Sequence, residues 1–67
     1  MILAKAPIDK MIRKAGAERV SDEAVVTMAE YLENFGVEVA QEATNLAKHA
    51  GRKTVRSEDV RLALERV

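Results

Sequence analysis

Between Ser21 and Gly51 the chain offers about 28 consecutive residues with no proline, a helix start at one end and a helix stop at the other. Ser21 is a capping residue, Asp22 and Glu23 sit where the helix dipole favours acids, and Val20 with Val25 has the spacing of a hydrophobic staple. Lys48 and His49 occupy the last turn and Gly51 ends it, so the helix is expected to run to Ala50. At 1.5 Å per residue such a helix is roughly 42 Å long, longer than a small domain is wide. The 67-residue chain has too little else to cover it, so a second protein surface has to.

Two rows with a seven-residue repeat run along this helix. Val25, Leu32, Val39 and Leu46 form a large row, and Ala29, Gly36, Ala43 and Ala50 form a small one beside it. A large row next to a small one suits close approach by another helix. Gly36 lies near the midpoint, where glycine costs about 1 kcal/mol relative to alanine. Two copies crossing antiparallel at a twofold axis would bring their backbones closest there. A kink, or simple tolerance of glycine, is the competing reading.

The flanks read as two shorter helices. The first is expected from Pro7 to Gly16, with Ile8, Met11, Ile12 and Ala15 on one face. The other follows Ser57 as cap, with Glu58 and Asp59 in its first turn and Val60, Ala63, Leu64 and Val67 buried. Residues 17–20 and 52–56 are too short for domain linkers, and each contains a valine that favours briefly extended chain. Ala15-Gly16 followed by Val20 and Ser21-Asp22-Glu23 is echoed by Ala50-Gly51, Val55 and Ser57-Glu58-Asp59. That echo fits a duplicated unit sharing the long helix, and it fits equally the common chemistry of helix ends. The expected fold class is all-α, one domain over residues 1–67.

Stability has to come from somewhere other than a large core. The chain holds eleven alanines but only one Phe, one Tyr and no Trp. Chains this small usually lean on disulfides, a metal or a second polypeptide. There is no cysteine and a single His, which leaves no disulfide and no ligand set for structural zinc. Oligomerisation remains. No apolar run approaches the length of a membrane span and no signal-peptide pattern opens the chain, so the protein reads as cytoplasmic, with no membrane partner.

Formal charge is zero, with eleven basic and eleven acidic residues. The distribution is uneven. Residues 1–20 carry a net of plus three, residues 21–47 a net of minus six without one Lys or Arg, and residues 48–67 again plus three. Basic ends around an acidic middle allow one surface to meet phosphates while another faces away. Scattered charge on a solvated helix surface is the plainer reading of the same numbers.

Several segments together resemble the archaeal histones over essentially the whole chain. They are Ala6-Pro7-Ile8, Ala15-Gly16-Ala17-Glu18-Arg19-Val20-Ser21-Asp22, Lys48-His49-Ala50-Gly51-Arg52-Lys53-Thr54-Val55 and Ser57-Glu58-Asp59-Val60. The resemblance implies the histone fold, in which two chains clasp head to tail in a handshake homodimer, or a heterodimer with a paralogue. The long helices cross, and the first loop of one chain lies beside the second loop of the other. It also implies the site. Lys10, Arg13, Lys14, Arg19, Ser21, Lys53, Thr54 and Arg56 would contact double-stranded DNA, with Arg19 in the minor groove and no base-specific readout. Val25, Leu32, Gly36 and Val39 would form the dimer core. Arg52 and Asp59 would form a structural salt bridge. Leu46, His49, Asp59 and Leu62 would join dimers into tetramers or longer filaments. Leu62 is set about 200° from Val60 on the third helix, away from the apolar stripe. Glu30, Asn34 and Val37 depart from the more basic pattern common in the family, which weakens the case for stacking of successive DNA turns.

The function expected is therefore that of an archaeal-type histone that binds, bends and wraps DNA and compacts the chromosome in the nucleoid. No nucleophile with a base, metal cluster or phosphate-binding glycine loop is present, so no enzyme, cofactor, metal or small-molecule substrate is expected. The rival is a histone-fold module that joins proteins with little DNA wrapping. Arg19, Lys53 and Arg56 separate the two, because a purely protein-binding module does not need cations in both loops.

Overall fold

The computed structural model describes residues 1–67. It contains α1 (Lys5–Lys14), α2 (Asp22–His49) and α3 (Ser57–Arg66), without a strand. The short, long, short order and the all-α class are as expected. The chain divides into two compact units, Met1–Asn34 and Phe35–Val67, and the boundary falls within α2.

In the first unit α1 begins at Lys5, two residues before the proline expected to start it. Pro7 is instead the third helical residue, still within the turn whose N–H groups have no partner inside the helix, so its missing donor is not felt. The helix ends in a Schellman turn. Gly16, at φ +117°, donates to the Arg13 carbonyl at 3.0 Å, and the Ala17 N–H reaches the Ile12 carbonyl at 3.5 Å. Ser21 caps α2 by accepting the Ala24 N–H at 3.1 Å. Val20 packs against the cluster containing Val25, which fulfils the expected staple.

The core of this unit is Ile8, Val25 and Ala29, with Leu3, Ile12, Val20 and Leu32 packed around it. Met11 and Ala15, expected on the buried face, are exposed. Met11 lies about 60° round the helix from Ile8, and α1 meets α2 along a strip too narrow to include it. Ala15 falls beyond the last helical residue, as the cap.

The second unit repeats the same helix ending. Helix α2 stops at His49, one residue earlier than expected, and Gly51 takes φ +73°. Its N–H bonds the Lys48 carbonyl at 2.9 Å and the Arg52 N–H bonds that of Ala47 at 2.9 Å. Helix α3 starts on Ser57 itself, with Arg56 as the extended cap residue. Ser57 therefore does not cap, and the side chain that serves the helix start is Asp59, which accepts the Arg56 N–H at 2.8 Å.

Val39, Ala43 and Ala63 form the core here, with Leu46 against it. Of the α3 residues expected inside, only Ala63 is buried; Val60, Leu64 and Val67 are exposed. The contact with α2 runs through Asp59 and Ala63, one turn apart, so the stripe of larger residues beside them is left open. Val55 is exposed too, and the extended stretches expected in both loops form no strand, having no neighbouring strand to bond. Across the chain seven hydrophobic residues are buried and four of them are alanines, each adding the burial of about one methyl group, ~0.8 kcal/mol. That is a thin core for a chain of this size.

Candidate nucleic-acid interface

The two Schellman turns deliver the loops that hold most of the expected contact residues, and a different arginine braces each loop. In the first unit Arg13 bonds Asp9 at 2.9 Å, one turn back on α1, and donates to the Glu18 carbonyl at 3.2 Å. A residue expected to face phosphate is thus also the strut that holds the loop before Arg19. Lys10, Lys14 and Arg19 are exposed and belong to no ion pair. Ser21 uses its oxygen as an acceptor for the cap, and its hydroxyl proton remains available to donate.

In the second unit Arg52 grips Asp59 through two parallel bonds, 2.7 Å and 2.9 Å, and also donates to the Thr54 carbonyl at 2.9 Å. Asp59 is buried and takes the Arg56 N–H as well, so one carboxylate ties the loop to α3 in three bonds. The Arg52 guanidinium first, then the Arg56 N–H, hold the Asp59 carboxyl at about 2, and the same pair raises Arg52. The expected structural salt bridge is therefore present, with a helix-capping role the sequence did not reveal. Lys53 is exposed without an ion pair, and Arg56 meets Glu58 only at 3.8 Å on the open surface. Such a pair contributes little and yields readily to a phosphate.

The residues assigned to the dimer core fall into two groups. Val25 and Val39 are buried by their own chain, in different units, and Leu32 packs on the first cluster. Gly36 is exposed, and a Cβ added to it would meet nothing within 4 Å. The open apolar side chains of the first unit's α2 segment are Met28 and Tyr31, which line a shallow groove with Ser21, Glu23, Ala24 and Thr27. Phe35 and Val37 are exposed in the second unit. This stripe, at helical spacing, is what the sequence reading missed, because periodicity picks out an apolar row without saying which row the chain itself covers.

Leu46 and His49 line an open cleft with Glu42, Asn45, Lys48 and Arg66. Leu62 is exposed outside it, and Asp59 is enclosed by the Arg52 bond. Three further contacts were not foreseen: Arg66 bonds Glu42 at 3.2 Å, Lys5 pairs with Asp22 at 3.6 Å, and Glu33 accepts the backbone N–H groups of Ile2 and Leu3. None could be found from local spacing, since the partners are 24, 17 and about 30 residues apart.

Residues 1–64 match the profile of the family described as histone-like transcription factor (CBF/NF-Y) and archaeal histone. The chain is 63% identical over 60 residues to the archaeal histone HAN1 of Thermococcus zilligii, covering 90% of each. It is 50% identical over 62 residues to probable archaeal histone 3 of Methanocaldococcus jannaschii, covering 92% of each. No helix of the chain is long and apolar enough to cross a membrane.

Proposed function

Since the chain belongs to the family of histone-like transcription factors and archaeal histones, we propose that it packages double-stranded DNA, binding, bending and wrapping it without reading base sequence. One observation carries this reading. Internal ion pairs take up Lys5, Arg13, Arg52, Arg56 and Arg66, yet Lys10, Lys14 and Arg19 in the first unit and Lys53 in the second stay exposed and unpaired. Cations left without carboxylates around braced loops suit phosphate binding, where each neutralised phosphate releases condensed counterions from the duplex. Arg19 enters the minor groove where it faces the protein; Ser21, Thr54 and the lysines hold the backbone on either side.

The working form is a handshake dimer of two copies, in which the first loop of one chain lies beside the second loop of the other. That doubles the cationic surface at each loop pair and makes residues 1–67 one histone-fold domain in the dimer. Gly36 and the stripe of Met28, Tyr31 and Phe35 lie at the crossing. Leu46, His49 and Leu62 extend dimers into tetramers or longer assemblies on the chromosome of the cytoplasm.

Nuclease digestion of protein–DNA complexes, with affinity measured on unrelated duplexes over a salt series, tests this reading. Regular protected fragments, weak sequence preference and steep loss of affinity with salt are expected. Replacing Arg19 and Lys53 by alanine should flatten the log–log salt dependence by about 0.9 for each phosphate no longer neutralised, with the dimer intact. No protection of any duplex at low salt would leave the protein-joining module as the better reading.

A further inference from the structure

Glu33, on α2, accepts two backbone N–H groups on a single oxygen, those of Ile2 and of Leu3, the latter at 3.1 Å. Those bonds hold the Glu33 carboxyl below its usual range, the Ile2 N–H contributing most. The Leu3 side chain packs on the cluster of Ile8, Val25 and Ala29, so the arm is held by backbone and side chain together. It leads directly into Ala4, the cap residue of α1.

Helix α1 needs such a hold. It has ten residues, no side-chain cap and no acid in its first turn, and a helix that short is marginal alone. Its start is otherwise secured by Ile8 and by the exposed Lys5–Asp22 pair, which contributes little. Yet α1 carries Lys10 and Lys14, two of the unpaired cations.

We infer that Glu33 is a positioning residue for DNA binding: by gripping the backbone of residues 2 and 3 it fixes α1, and with it the placement of Lys10 and Lys14 against phosphate. This rests on the DNA-packaging reading. The sign of the effect separates it from plain electrostatics. Removing an acid from a protein that binds a polyanion should tighten binding, whereas losing this grip should weaken it.

The test is a double-mutant cycle on duplex affinity, together with amide exchange of the unmodified protein. Glu33→Ala should weaken DNA binding about three- to tenfold, the range of coupling for residues in one network, and Glu33→Gln, which keeps an acceptor oxygen, should fall between it and the parent. The loss should vanish when Lys10 and Lys14 are already alanine and persist when only Lys53 is. Equal or tighter binding by both Glu33 variants, or an equal loss in both backgrounds, would overturn the assignment. In the unmodified protein the Ile2 and Leu3 amides should exchange more slowly than unstructured chain; unprotected amides would also overturn it. Failure of the unmodified protein to bind any duplex would count against DNA packaging, and the exchange result would still decide whether the grip exists.

Discussion

Asp59 concentrates more of this molecule's specific bonding than any other side chain. It is nearly enclosed, paired at both oxygens with Arg52, and it bonds the N–H that opens α3. Removing one partner of such a pair leaves the other without compensation, which costs more than making the pair contributes. Asp59→Asn should therefore lower the unfolding midpoint well below that of Lys5→Ala, whose pair with Asp22 lies on the open surface. The pH dependence has a definite sign. The carboxyl is held at about 2 when folded against 3.8 for its ordinary value, so between these the unfolded chain binds more protons. The contribution is complete above the ordinary value, shrinks as pH falls through the window, and is gone below about 2. Urea midpoints of the parent and Asp59→Asn measured downward from pH 6 should converge toward that limit; a gap that stays constant would mean the residue acts by shape alone.

At the scale of elements, the two Schellman turns hold the loops. Gly16 and Gly51 both have positive φ, and neither has an atom within 4 Å of where a Cβ would stand. Any penalty for alanine is therefore backbone conformation and not collision. Gly51 at +73° is near the left-handed well, where an L residue costs about 1–2 kcal/mol. Gly16 at +117° lies beyond that well, so Gly16→Ala should destabilise more than Gly51→Ala in urea titrations. The reverse order would place the strain elsewhere. Helix ends were also what the sequence expressed best. Ser21, Gly16 and Gly51 carry chemistry that only one local geometry uses well, so α2 was placed to within a residue at its end. Pro7 and Ser57 suit several positions of a first turn, and there the starts slipped. The Arg52–Asp59 pair was legible through resemblance. The Arg13 and Glu33 bonds to backbone were not, because a carbonyl or amide carries no residue-type signal. The exposure of Val60, Leu64 and Val67 was hidden for another reason: an apolar stripe states that something must cover it, and not what.

For the whole molecule that question turns on Gly36. It belongs to the same seven-residue row as Ala29 and Ala43, which have no exposed surface at all, yet it is itself open with empty space where a side chain would go. Two opposed expectations follow. For a chain acting alone, Gly36→Ala removes a helix-interior glycine and should stabilise by about 1 kcal/mol, independent of protein concentration. In a dimer whose α2 helices cross there, the added methyl meets the opposing backbone and should destabilise by about 1–3 kcal/mol. The dimer reading commits to the second outcome, with an unfolding midpoint that rises with concentration in the parent protein. Phe35→Glu, one residue away on the exposed stripe, should shift sedimentation toward the monomer while far-ultraviolet circular dichroism reports how much helix the freed chain keeps. A thin core rich in alanine predicts that it keeps little. Stabilisation by Gly36→Ala with no concentration dependence would move the crossing away from this glycine and require the stripe of Met28, Tyr31 and Phe35 to find another partner.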